Sequence, residues 1–141
     1  MTSIKMFNMK STIISLSTDG ETQFIDITDK VEGIVSKSGT KEGTAVIYTK
    51  HTTTALFINE GERGLLKDYE RLLQLLPKGA GYEHDRIDSN AHAHLWSVML
   101  GSSVTVPVLK GDLQLGTWQR IFLAELDGPR QRRVIVQVIG K

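Results

Sequence analysis

Cysteine is absent from the 141-residue chain, which removes disulfides, thiolate metal ligands and thiol nucleophiles together. His, Asp and Glu are left as the strong metal ligands. Long apolar runs are absent too: stretches such as Leu72 to Leu76 fall far short of a bilayer span, and the N-terminus lacks a basic-then-apolar signal pattern. No membrane partner and a cytoplasmic location are therefore expected. Nor does either sign of charge dominate. Seventeen basic against sixteen acidic side chains give a net charge of +1, so no global field gathers nucleic acid, and any polyanion site must be local. There is no internal repeat, linker or low-complexity tract. With 40% hydrophobic residues, the chain has the size and content of a single domain over residues 1–141.

What is present reads as strands, then helices, then strands. Met6 to Ser17 and Thr22 to Ile27 flank Thr18-Asp19-Gly20, the pattern of a β-hairpin with an Asp-Gly turn. A short helix is expected from Thr28, placed as its N-cap, with Val31, Ile34 and Val35 at helical spacing before Ser38-Gly39. Gly43 to Thr49 and Ala55 to Ile58 are β-branched or apolar and read as strands. Leu65, Leu66, Tyr69, Leu72, Leu73 and Leu76 fall on one helical face, ended by Pro77 and Gly79. Ala91 to Leu100 is a further helix, with Asn90 to cap its start and Gly101 its end. Val104 to Val108, Leu113 to Leu115, Trp118 to Leu126 and Val134 to Ile139 return to strand, joined by turns at Lys110-Gly111-Asp112 and Asp127-Gly128-Pro129. The fold class is α+β, mainly antiparallel sheet with two to three helices.

Four histidines, His51, His84, His92 and His94, lie in the central stretch beside Asn59, Glu60, Asp68, Asp85 and Asn90. Imidazoles next to carboxylates suit a small metal-assisted site or proton transfer near neutral pH. His51 falls at a strand end. Asn59 and Glu60 open the Leu-rich helix, where Glu60 is a candidate base. Asn59 with Glu62 also has the spacing of a capping box, which needs no chemistry. His84 sits in a polar loop. His92 and His94, two apart on a helix, point to nearly opposite sides; periodicity turns His92 inward with Leu95, Trp96 and Met99. Trp118 and Gln119 can wall and orient a substrate pocket, or Trp118 can simply pack. Arg130, Arg132 and Arg133 make a basic hairpin tip, which reads either as a phosphate grip or as a solvated turn, and no interleaved aromatics support a nucleic-acid surface.

Taken in order, His51-Thr52-Thr53-Thr54-Ala55-Leu56, Ile58-Asn59-Glu60, Asp68, Tyr82 with His84, Asn90-Ala91-His92-Ala93-His94-Leu95, Gly101, Gly116-Thr117-Trp118-Gln119 and Glu125-Leu126-Asp127-Gly128-Pro129-Arg130 closely resemble the YjbQ-like family, sometimes labelled secondary thiamine-phosphate synthase. The likeness runs through nearly the whole chain. It implies a homotrimer of compact α+β domains with a histidine pocket that often holds a metal or an anion. Carried onto this sequence, it singles out His51, His84 and His94. His92 stands where the family often has aspartate, and becomes a contact beside the site. Asn59, Glu60, Trp118 and Arg130 match the pattern as well.

The functional expectation is a trimeric enzyme binding a divalent metal, zinc first, through His51, His84 and His94, with a fourth position open for water or substrate. Glu60 would be the acid/base residue, with Asn59 beside it. Trp118, Gln119, Arg130 and His92 would contact a small, phosphorylated or anionic substrate. The label suggests thiamine-phosphate synthase activity, a reaction that usually relies on carboxylate-held magnesium; metal-assisted hydrolysis or phosphoryl chemistry is the other enzymatic reading. The non-enzymatic rival is a trimeric metal- or small-molecule-binding protein.

Overall fold

The computed structural model describes residues 7–141. Its elements in chain order are β1 (Asn8–Ser17), β2 (Gln23–Asp26), α1 (Thr28–Ser38), β3 (Glu42–Thr49), β4 (Thr54–Asn59), α2 (Arg63–Leu73), a 3-10 turn (Glu83–Arg86), α3 (Ala91–Leu100), β5 (Ser103–Leu109), β6 (Asp112–Leu113), β7 (Arg120–Glu125) and β8 (Gln131–Gly140). They form two antiparallel sheets, ordered β1-β8-β3-β5-β6 and β2-β7-β4. This is the expected α+β architecture.

The expected opening hairpin does not form. β1 pairs with β8, and β2 pairs with β7 in the other sheet. Asp19-Gly20 supplies a bend, but Thr18 is already held. Its amide donates to the Arg130 carbonyl at 3.0 Å, and its hydroxyl oxygen accepts from the Arg130 amide at 2.8 Å. The chain therefore steps from one sheet to the other at this point. Residues 127–130 make the return step alongside, with the Gly128 amide donating to the Glu21 carbonyl at 3.0 Å. A Cβ at Gly128 would collide with the Gly20 carbonyl and the Glu125 side chain, so the two crossovers can touch only if this residue is glycine. Met6, expected in the first strand, lies outside the described residues.

The three-stranded sheet is the middle layer. Leu56, Ile121 and Leu123 face the five-stranded sheet, where Ile14, Ala45, Ile47, Val106, Val134 and Val136 close the main core with Val31 and Val35 of α1. Ala55, Ala124 and Leu126 face the other way, against Leu73, Ala93 and Trp96. Covered on both faces, β7 is apolar at nearly every position instead of alternating, whereas β8 buries every second residue.

Helix ends depart from expectation in three places. Thr28 is the first residue of α1 and not its cap: the Asp26 carboxylate accepts the Thr28 amide, and the Thr28 hydroxyl oxygen accepts the Ile121 amide at 2.7 Å. Asn59 ends β4, and Glu62 itself caps α2, its carboxylate accepting from the Gly64 and Leu65 amides at 2.7 Å each. Those two bonds hold the Glu62 carboxyl below its usual range. Asn90 precedes α3 without capping it; the Asp85 carboxylate takes the Ala91 amide instead, at 3.1 Å. At the Lys110-Gly111 turn both residues have positive φ, as a two-residue hairpin requires. Trp118 is loop, not strand, because β7 begins at Arg120.

Candidate functional site

His51 owes its position to threonines. Leaving β3, the Thr49 and Thr54 hydroxyls bond each other at 2.8 Å, Thr54 donates to the His51 carbonyl at 3.1 Å, and the His51 amide donates to the Thr49 hydroxyl oxygen at 3.3 Å. The side chains thus close the turn that the backbone leaves open. Pairing between β3 and β8 ends at Thr49 and Val134. The next amide of β8, at Arg133, donates to His51 Nε2 at 3.0 Å, so the ring continues the ladder. Nε2 is then an acceptor, and the neutral ring carries its proton on Nδ1. Burial first, and the Arg132 charge second, hold His51 below the ordinary imidazole value of 6.5.

Ser97 donates to the Thr54 carbonyl at 2.6 Å, and the Leu56 amide donates to the Gly101 carbonyl at 3.0 Å, clamping α3 along β4. His94 is thereby set across from His51. Both rings line two adjoining clefts of about 440 and 400 Å³, together with Lys50 and Thr52; Arg130, Arg132 and Asp88 complete the second. His84, from the 3-10 turn, stands edge-on to His94, with ring centres 4.9 Å apart. Behind it runs a polar chain: His84 Nε2 meets the side-chain Oδ1 of Asn90 at 3.1 Å, and Asn90 Nδ2 donates to the Asp127 carboxylate at 2.8 Å. The second contact fixes the Asn90 amide orientation, so His84 Nε2 is the donor and Nδ1 is its free lone pair.

The floor was not legible as a site in the sequence. Arg132 and Glu125 form a buried ion pair: Nε to Oε1 at 2.8 Å and Nη2 to Oε2 at 2.6 Å. Thr18 donates to Glu125 at 2.7 Å, and Arg132 Nη2 donates to the Thr53 hydroxyl oxygen at 2.8 Å. Burial alone would raise the Glu125 carboxyl, but the bonds from Arg132, Thr18 and the Asp127 amide together hold it below its usual range. The basic tip is therefore not uniformly solvated. Two signals point to the pair: Arg132 shares strand parity with Val134, Val136 and Val138, and Glu125 ends an otherwise apolar run. A carboxylate there demands a buried partner.

The expected site residues divide. His51, His94 and Arg130 line the cleft, and His84 touches His94. Arg130 is tied back to Asp127, with Nη2 to Oδ2 at 3.2 Å and Nε to the carbonyl at 3.1 Å. His92 faces the core as periodicity predicts, 2% exposed, its ring edge-on to Trp96 at 4.7 Å. Its Nδ1 is, among the described residues, the one buried side-chain nitrogen or oxygen without a partner, and burial holds the ring below 6.5. It is a buried residue packed on Trp96 and is not among the side chains that line the cleft.

Asn59 is the last residue of β4 and Glu60 follows it, roughly 17 Å from the strand's His51 end at about 3.4 Å per residue. Asn59 borders instead an apolar cavity of about 200 Å³ lined by Phe24, Phe57 and Tyr69, and Tyr69 donates to the Glu60 carbonyl at 2.8 Å. Trp118 is 71% exposed, and Gln119 folds back to accept the Gly116 amide at 2.8 Å. Within one chain neither pair reaches the histidines. The complete three-histidine metal cage does not form either: among the described residues no three His, Asp or Glu side chains converge on one point. His51 Nε2 and His84 Nε2 are both committed to protein partners. The two rings that come together are those of His84 and His94, edge-on to each other, with Nδ1 of His84 uncommitted.

The sequence profile described as UPF0047 protein YjbQ-like matches residues 12–141. A UPF0047 protein of Archaeoglobus fulgidus is 56% identical over 127 residues, covering 89% of this chain and 98% of the relative. The Bacillus subtilis UPF0047 protein YugU is 35% identical, covering 90% and 97%. Among solved structures, a YbjQ-like protein of unknown function from Sulfolobus solfataricus superposes with a TM-score of 0.94 at 42% identity, covering 96% of this chain and 99% of that one. A yjbq/upf0047 family protein of Clostridium acetobutylicum gives 0.86 at 40% identity, covering 90% and 98%.

Proposed function

The chain belongs to the YjbQ-like UPF0047 family, and from that premise we propose that it is a small enzyme acting in its histidine cleft on a phosphorylated or otherwise anionic small molecule. The observation that carries this reading is the meeting of His51 and His94, from a strand end and a helix, with Lys50, Arg130 and Arg132 around one opening. His51, depressed and with Nε2 occupied, offers an Nδ1–H to a substrate oxygen. His94, half-exposed and backed by His84, is the group free to give or take a proton. Acid–base work therefore passes from Glu60 to the histidines.

A divalent metal, zinc first, belongs to the same proposal. His84 and His94 would supply its protein nitrogens, and its chemistry there would be polarisation of a substrate oxygen. Assembly as a homotrimer belongs to it too. Ile13 and Tyr48 on the outer face of the five-stranded sheet, and Val98 and Met99 on α3, are exposed apolar side chains toward the cleft end of the chain, the kind of surface a second copy covers. Thiamine-phosphate synthase activity, taken from the family label, is carried as a side activity of the cleft, and metal-assisted phosphate-ester hydrolysis as its main candidate.

The test is metal per chain and turnover of phosphorylated substrates for the wild type and for His51→Ala, His84→Ala and His94→Ala. Loss of turnover in all three, with metal lost at least in His84→Ala and His94→Ala and a solution mass of three chains, is the expected result. Metal lost with no turnover to lose makes the protein a binding module instead. Metal unchanged in all three removes the metal part.

A further inference from the structure

Arg132 sits where a valine would be expected, on the inward row of β8 with Val134, Val136 and Val138, and is 3% exposed. Its guanidinium is held along one edge. Nε and Nη2 donate to the two Glu125 oxygens, and Nη2 also meets the Thr53 hydroxyl and carbonyl oxygens. Glu125 is fixed in turn by Thr18 and the Asp127 amide. No bond is assigned to Nη1 among the described residues. Nor is Nη1 sealed, since the one buried side-chain nitrogen or oxygen left without a partner is His92 Nδ1. Arg132 lines the cleft with Lys50, His51 and His94. Nη1 is thus the unbonded polar edge of a side chain that lines the cleft.

We propose that the Nη1 edge of Arg132, and not Arg130, is the anchor for the substrate's oxyanion, so that the cleft takes a ligand with one compact terminal oxyanion, a phosphate monoester or a carboxylate. Stability does not account for the pair, because replacing a buried ion pair by packed apolar side chains is often neutral or stabilising. A planar guanidinium immobilised by its own carboxylate offers two N–H groups with little further loss of freedom. Arg130 is a poorer anchor: it is bonded to the Asp127 carboxylate and carbonyl, and its side chain is 55% exposed. This inference rests on the cleft being the working site, and it adds which side chain holds the substrate and by what group.

The experiment titrates metal-free wild-type protein with inorganic phosphate, and separately with acetate, while NMR follows the arginine side-chain N–H signals. Metal-free protein keeps the anchor's failure apart from failure of the metal reading. Saturable movement of the Arg132 signal with phosphate is the expected result; movement with acetate only would make the substrate a carboxylate and keep the anchor. Arg132→Lys, which keeps the charge but loses the fork, should weaken binding by about tenfold or more, as loss of a charge-assisted pair does. Arg130→Gln should weaken it by less than about threefold, as for an exposed pair. If Arg132→Lys fails to fold, the wild-type titration decides alone. Saturable binding that moves Arg130 and leaves Arg132 still overturns the proposal, as does the absence of binding by both anions.

Discussion

At the scale of single residues, the histidines divide by what their ring nitrogens already do. His51 has one nitrogen on a β8 amide, His84 one on Asn90, and His92 has a buried nitrogen on nothing. Burial holds His51 and His92 below 6.5 in the folded chain. Folding therefore favours their neutral forms, and that contribution is full above the unfolded value and is lost as pH falls through the lower folded values. The melting temperature should accordingly drop between about pH 7.5 and about pH 5.5, the range in which histidine titrates. His92→Gln should flatten that drop. An equal slope in wild type and variant would show that the orphaned ring does not set the acid limit.

At the scale of elements, the cleft depends on two chain crossings and one clamped helix. Gly128 is the tightest point, packed against the Gly20 carbonyl and the side chain of Glu125. Gly128→Ala must push the crossovers apart, with a cost of about 1–3 kcal/mol for overpacking, read as a lower midpoint in urea. Because Glu125 holds Arg132, the same change should weaken anion binding more than a remote mutation of equal cost does. Strands and helices were largely legible from periodicity, including the inward turn of His92. Pairing partners were not. Asp19-Gly20 signals a turn equally well whether the strands on either side pair with each other or with distant partners, and the Arg130 backbone decides it by bonding the amide and the hydroxyl of Thr18. The capping box failed for a related reason: Asn59 is still strand when Glu62 begins the helix.

At the scale of the whole molecule, sequence order and spatial order part company at the site. The motif Ile58-Asn59-Glu60 follows His51 closely, yet β4 carries it to the opposite end of the middle layer. Arg132 and Glu125, far along the chain, come back to form the floor. The histidine cluster was readable because four imidazoles fall in one segment, and the resemblance drew His51, His84 and His94 out of it. The floor was missed because a run of arginines beside a Gly-Pro turn looks solvated until the period of β8 is followed into it. Trp118 shows the reverse case, a large aromatic expected in a wall or core and found on an exposed loop.

Whether side chains from a strand end, a turn and a helix serve one reactant can be read from the ring carbon-proton NMR signals of the four histidines during titration with phenyl phosphate. His51, His84 and His94 should move along one saturation curve with a single midpoint while His92 changes little. Separate midpoints for the three rings, or movement of His92 alone, would contradict a shared reactant.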